Sequence, residues 1–266
     1  ISLKVGIALW LVFSFSHRAH LGIFIGSFAS LFSHIGTELS SQLILFYALQ
    51  GMVICLQAQV IHLSFDRSVN KGNPLSSSHN LITFIGITSL TTIMISFLMA
   101  LNISSATTQP LIANNFITLF LTNLTSLITI PCLFFSLQNH SLRIKQNTHP
   151  LEWLVWLSTS VISIYFVANF HPAFIMVIIP LFMWAATRFN QLTCCLTVVI
   201  GSFLSAIFFS GNDLSQWFQD LPVFTPQLTT LLLIFSTLYF SALRTDQRSM
   251  EFKLEETVEQ RTRDLM

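Results

Sequence analysis

The chain has 266 residues, of which 53% are hydrophobic and only 9% charged, with 26 Phe and a mean hydropathy of +0.70. A soluble domain carries about 25% charged residues, so this composition excludes a water-soluble globular fold and points to an integral membrane protein. The net charge of +1 comes from basic residues spread over separate loops, none joined to a stacking aromatic face, which excludes nucleic acid as a partner.

A helix needs about 20 apolar residues to cross the hydrocarbon core. Apolar runs that meet or approach this length lie near residues 1–16, 20–36, 42–63, 79–101, 112–137, 152–169, 172–188, 190–210 and 224–244. The expected fold is all-α: a polytopic transmembrane helix bundle of about 8–9 spans that continues into a cytoplasmic signalling helix. Residues 1–244 would form the membrane domain and 245–266 a connector helix. The first two runs and the pair around His171 are short for untilted spans. Asn169 and Pro172 supply the break within that pair, and Pro172 suits a first helical position, where its missing N–H costs nothing. Ile1 stands inside an apolar run and Met266 inside a charged helical segment, as in a piece of a longer chain.

The loops alternate in charge. Arg18, Arg67 with Lys71, Arg143 with Lys145, and Arg188 mark every second turn, and the tail from Arg244 falls on the same side. Together they hold 11 of the 12 Lys and Arg, Lys4 being the exception. Basic loops resist translocation, so this side is expected to be cytoplasmic. The other side carries Glu38, the turn from Asn169 to Pro172, and Asp213 with Asp220.

Inside the spans, no Asp, Glu, Lys or Arg stands at mid-membrane, which argues against an ion pathway. The remaining polar groups are amides and hydroxyls: Gln50, Gln57 and Gln59 in the third run, and Asn114, Asn115, Thr118, Thr122, Asn123, Thr125, Ser126 and Thr129 in the fifth. Interhelical hydrogen bonding is their first reading and a ligand pocket the alternative, with Asn123 as the candidate residue. In the turns, Asn169, His171 and Arg188 are the sensing candidates, His171 as a group that titrates with external pH.

Cys55, Cys132, Cys194 and Cys195 lie in apolar runs and read as packing residues. Trp10, Trp153, Trp156, Trp184 and Trp217 stand near run ends, as an interfacial belt would. Gly22, Gly26 and Ser30, and Gly201 with Ser205, have the spacing that lets helices approach closely. No paired Cys/His spacing fits a metal site, and no phosphate-binding, metalloprotease or nucleophile-elbow motif is present. No catalytic, cofactor-binding or metal residue is expected, and no cofactor.

From Arg244 the tail reads RTDQRSMEFKLEETVEQRTRDLM, without Gly or Pro and rich in helix formers. It is expected to continue the last span directly. Leu254, Val258 and Leu265 fall on one stripe that would transmit the signal and pair two copies of the chain, although Arg261 interrupts the seam. Glu259 and Arg263 are spaced to pair along the helix.

These segments carry a resemblance. LEETVEQRTRDLM is similar to the connector helix of bacterial sensor histidine kinases and, less often, of diguanylate cyclases. GIALW at Gly6–Trp10, the Arg18 turn, LGIFIGSF at Leu21–Phe28 and above all IIPLFMWAATRFNQ at Ile178–Gln191 resemble the membrane-associated sensor domain of the first type. Three positions depart from that family: SLKVG replaces an aromatic-Pro pair, Asn190 stands where Gly is usual, and Thr122 and Asn123 stand near a usual Asp.

The resemblance implies a multi-pass input module of the bacterial inner membrane, with residues 1–244 as its sensor domain and its C-terminus in the cytoplasm. A stimulus would favour one helix packing, needing a differential affinity of only a few kcal/mol between packings, and the last helix would report it. A histidine kinase of a two-component system is the first expectation for the output, and a diguanylate cyclase or phosphodiesterase the second. A small-solute transporter or channel is the alternative of another class. Expected partners are membrane lipid, a second copy through the connector helix, and a second membrane protein as co-sensor.

Overall fold

The computed structural model describes residues 3–15, 18–29, 41–69, 73–106, 112–138, 150–169, 175–211 and 225–266. Among these, regular structure is helical and no strand occurs. The helices are α1 (Leu3–Phe15), α2 (Ala19–Ala29), α3 (Ser41–Val69), α4 (Ser78–Ala106), α5 (Ile112–Gln138), α6 (Pro150–Asn169), α7 (Ile175–Arg188), α8 (Gln191–Gly211) and α9 (Thr225–Leu265). Each apolar run yields one helix. The expected second span reaches beyond α2 into residues 30–36, which lie outside the described residues.

Four helices combine the length and apolarity for a crossing, over Ala48–Val69, Ser78–Leu101, Phe116–Gln138 and Gln227–Leu265; α1, α6, α7 and α8 contribute shorter apolar stretches. The outward faces are apolar too: Met52, Leu56 and Leu63 on α3 and Leu90, Met94 and Leu98 on α4 are exposed. Such faces suit hydrocarbon, where an exposed Leu loses nothing, and they mark a membrane-embedded, multi-pass helical protein.

Local chemistry sets the helix starts near the turns. Asn73 Oδ1 accepts the Leu75 N–H at 2.8 Å, and Ser77 Oγ accepts the Asn80 N–H at 3.1 Å, so Ser77 caps α4. Asn190, the departure from the family's usual Gly, caps α8: its Oδ1 accepts the Thr193 N–H at 2.7 Å and its carbonyl the Cys194 N–H at 2.8 Å.

Two cores are packed. The larger joins Leu9 and Val12 of α1, Ile61 and Phe65 of α3, Phe84 of α4, Leu127 of α5, Val198 of α8, and Ile234, Leu238 and Ala242 of α9. The smaller joins Trp156 of α6, Phe182 and Ala185 of α7, Phe189, and Leu233 of α9. α9 therefore contributes to both, with Leu233 and Ile234 facing different clusters. In the first core the Phe13 ring meets His62, Phe65, Phe84 and Phe135 edge-on at centroid distances of 4.9, 5.9, 6.3 and 5.1 Å. This knot fixes the level of α1, α3, α4 and α5 near one end of the bundle.

The helices α1 and α5 approach closely at Gly6. A Cβ at Gly6 would stand 2.6 Å from Ser126 Oγ and 2.8 Å from Ile130 Cβ, and the Gly6 N–H donates to Ser126 Oγ at 3.1 Å. Gly201 likewise leaves room for the Phe182 ring. By contrast, nothing lies within 4 Å of the same position at Gly22 or Gly26, so among the described residues these two glycines do not serve close packing; Ser30 of the same stripe lies outside them.

Two further readings of the sequence differ from the structure. Trp156 is fully buried rather than interfacial, because α7 offers Phe182 to its ring and the Leu181 carbonyl accepts its indole N–H at 2.9 Å. Thr122, Thr125 and Thr129 spend their hydroxyls on carbonyls one turn back in α5, those of Thr118, Leu121 and Thr125, so most of the fifth run's hydroxyls do not bridge helices. In the third run the interhelical reading holds for Gln57, whose Nε2 donates to Thr92 Oγ1 of α4 at 3.1 Å. Trp217 lies outside the described residues.

Candidate functional site

Four of the hydrogen bonds that tie distant parts of the chain gather where α9 leaves the bundle. Ala242 is fully buried, whereas from Ser249 onward every residue is exposed. Between them, Arg244 Nη1 donates to the Phe189 carbonyl in the α7–α8 turn at 3.3 Å. Two residues on, Asp246 Oδ2 accepts from the main-chain N–H of Ser78 at 2.8 Å and from its hydroxyl at 2.6 Å. Gln191 Nε2 closes the group by donating to the Leu75 carbonyl at 2.7 Å. The exit of α9, the start of α4, the α3–α4 turn and the α7–α8 turn thus form one hydrogen-bonded collar.

Each contact follows from the helices that present it. Ser78 opens α4, so its N–H has no intrahelical acceptor, and Asp246 meets it with a negative charge at the positive end of the helix. Phe189 follows the last residue of α7 and precedes the Asn190 cap, and its carbonyl accepts from α9. Residues 244 and 246 lie about 200° apart around a helix, so α9 reaches two different neighbours within a single turn. The ends of α1 and α5 belong to the same end of the bundle, since Gln138 Nε2 donates to Ser14 Oγ at 3.4 Å below the Phe13 knot.

Beyond the collar, α9 runs on without a break. It has 41 residues, about 60 Å at 1.5 Å per residue, and it spans the expected boundary between 244 and 245. Leu254, Val258 and Leu265 are 69%, 57% and 89% exposed, a solvent-facing apolar stripe. The expected pair forms: Arg263 Nη2 donates to Glu259 Oε1 at 2.6 Å.

Among the described residues, the candidates Arg188 and Asn123 lie apart. Arg188 ends α7 at the collar. Asn123 is buried in α5 at 5% exposure, about four turns from Gln138. Asn169 ends α6 at the far end, because Trp156 in the first half of that helix packs on Phe189 beside the collar; its side chain, like the whole of His171, lies outside the described residues. Sequence reasoning missed Ser78, Gln191 and Asp246. The one available signal was Asp246 itself, one of two acids, with Glu251, among the three basic residues Arg244, Arg248 and Lys253.

Among the described residues no group of His, Cys, Asp and Glu is placed to hold a metal ion, and the four cysteines carry free thiols. What the arrangement offers is mechanical: one helix shared by two cores, collared at its exit and continuous beyond it. The fold and its exit define an all-helical, multi-pass membrane protein whose last helix continues past the bundle. The chain belongs to the MASE1 family of membrane-associated sensor domains, whose family model matches residues 3–248. MASE1 is a membrane sensory input domain of signalling proteins, without catalytic activity of its own. No curated protein and no solved structure matches the chain.

Proposed function

We propose that this domain is the input of a bacterial sensor histidine kinase in the inner membrane, and that α9 carries the packing state of the bundle to a cytoplasmic output. The observation that supports this reading most is the continuity of α9 from Leu233, in the packed core, to Leu265. A stimulus that changes how α4, α5, α7 and α8 pack around α9 moves the collar, and the rod converts the movement into a rotation or shift at its far end. The cytoplasmic side is the collar end, where Arg67, Arg188 and the tail accumulate. Two copies pair through Leu254, Val258 and Leu265, and a second membrane protein is the co-sensor for stimuli that do not enter the bundle.

The test joins the full chain to a histidine-kinase output and inserts one to seven Ala after Met250. Autophosphorylation should rise and fall with the helical repeat of about 3.6 residues, because each Ala rotates the output by about 100°. A response independent of insert length would remove the rod mechanism. In parallel, the same chain joined to a diguanylate-cyclase output should switch less than the kinase fusion; the reverse ranking would favour the cyclase.

A further inference from the structure

We infer that the hydrogen bond from Gln191 to the Leu75 carbonyl is a lock between the two packed cores, and that its opening lets them slip past each other and turn α9 through Arg244 and Asp246. The inference rests on α9 being the transmitter proposed above.

Two corners of the bundle meet at this bond. Leu75, 1% exposed, seats the α3–α4 turn in the larger core, and Phe189, 2% exposed, seats the α7–α8 turn in the smaller one. Gln191 stands two residues beyond Phe189, and α8 gives Cys195 and Val198 to the larger core. The chain therefore crosses from one core to the other between residues 189 and 195. Gln191 Nε2, donating to the Leu75 carbonyl at 2.7 Å, joins the two corners directly.

α9 is tied once to each corner. Arg244 holds the smaller core's corner at the Phe189 carbonyl, and Asp246 holds the larger core's corner at Ser78. The two ties leave the helix about 200° apart, on nearly opposite sides of its axis. When the corners slide in opposite directions across α9, the ties form a couple, which turns the helix rather than carrying it along. A slip of about 1–2 Å, the usual size of a helix shift at a packed interface, at a radius of about 5 Å is a turn of about 10–20°.

The seam and the strength of the bonds set which contact yields. Close-packed cores move as units and give way at their boundaries. At this boundary α7 meets α8 where the Phe182 ring lies over Gly201, which has no side chain to interlock with it. The lock is one half-buried hydrogen bond between neutral groups, which water replaces at small net cost. The bonds of Arg244 and Asp246 carry a charged partner and are the stronger ones, so the lock opens while both ties stay closed.

The test reconstitutes the full chain, one copy per nanodisc, with pairs of nitroxide labels chosen from His79, Thr187 and Glu256, and reads their dipolar distances. His79 and Thr187 are exposed and report the two corners. Glu256, exposed on the rod, lies about 120° around the helix from Arg244 and about 80° from Asp246, so a turn brings it nearer one corner and farther from the other. The unaltered chain and Gln191→Lys, which keeps a donor, should share one narrow 79–187 distribution. Gln191→Met, which keeps the length and loses the donor, should shift that distance by about 1–2 Å and move the 79–256 and 187–256 distances in opposite senses by about 2–3 Å. In Gln191→Met/Asp246→Ala the 79–187 shift should remain while the 187–256 distance returns to its unaltered value, because α9 then follows Phe189 alone. An unchanged 79–187 distance in Gln191→Met would overturn the lock. A 79–187 shift with both Glu256 distances constant, or moving in the same sense, would overturn the turn.

Should Gln191→Met not fold, the unaltered chain decides in bilayers of short and long acyl chains, which change helix tilt. A 79–187 distance that moves together with opposite shifts at Glu256 supports the device; one that stays constant, or moves without them, contradicts it. None of these distances depends on the output, so a kinase fusion that fails to switch would remove the kinase reading and leave a measured slip and turn standing.

Discussion

Asp246 on α9 caps α4 in trans: its Oδ2 accepts both the N–H and the hydroxyl of Ser78, 168 residues earlier in the chain. A helix usually supplies its own cap from the residue just before it, and α4 does so through Ser77 for the Asn80 N–H. The Ser78 donor is left to another helix. The first turn of α4 is thereby fastened to the helix that leaves the bundle.

Replacing Asp246 with Ala should lower stability by about 1–2 kcal/mol, the usual worth of a cap. Asp246→Asn, which keeps an acceptor oxygen and loses the charge, should cost less. Thermal unfolding of the purified chain in detergent, followed by circular dichroism, measures both; an Ala variant that melts with the unaltered chain would show that the contact holds nothing.

The glycines should divide by environment. Gly6→Ala forces a methyl against Ser126 and Ile130 and should cost about 1–3 kcal/mol, as overpacking does. Gly22→Ala meets nothing within 4 Å and should be neutral or stabilising by up to about 1 kcal/mol, since Ala outranks Gly in a helix. Equal effects at the two positions, in the same unfolding assay, would contradict the packing of α1 on α5.

Trp156 joins α6 to α7 by ring packing and by one hydrogen bond. Trp156→Phe should therefore lose about 1 kcal/mol for the indole N–H, and Trp156→Ala about 3–5 kcal/mol for the cavity as well. If Phe and Ala variants unfold together, the ring is not packed as described.

Much of the fold was legible in the sequence because membrane helices are written in long apolar runs and punctuated by Pro, Asn and charge. The continuity of α9 was legible for the same reason, since no Gly or Pro stands between Leu243 and Leu265. The collar was not. A capping bond between Asp246 and Ser78 has no local signature, because either residue alone reads as a solvated polar group. Burial within a membrane protein is equally silent: Trp156 in the core and a Trp at the headgroups occupy the same place near a helix start. Gly22 and Gly26 show the converse, a spacing that promises close packing and meets open space.

The exposed stripe on α9 has its own readout. With Cys placed at Leu254 or Val258 in membranes, oxidation should give cross-linked dimers, whereas Cys at Glu255 should cross-link several-fold less, because it points off the stripe. The native thiols at Cys132, Cys194 and Cys195 are buried and should stay silent. Equal cross-linking at 254 and 255 would mean that the stripe is not the seam.

The most direct test of the rigid exit is a nitroxide scan, one label at a time, from Leu238 to Val258 in the full chain reconstituted in lipid. Label mobility and accessibility should follow the 3.6-residue period without interruption, with the most restricted positions near Ala242 and a rise to uniform exposure after Ser249. A stretch of highly mobile, aperiodic labels between Ser241 and Met250 would contradict it, because a flexible joint there cannot pass a rotation of the bundle to Leu254 and beyond.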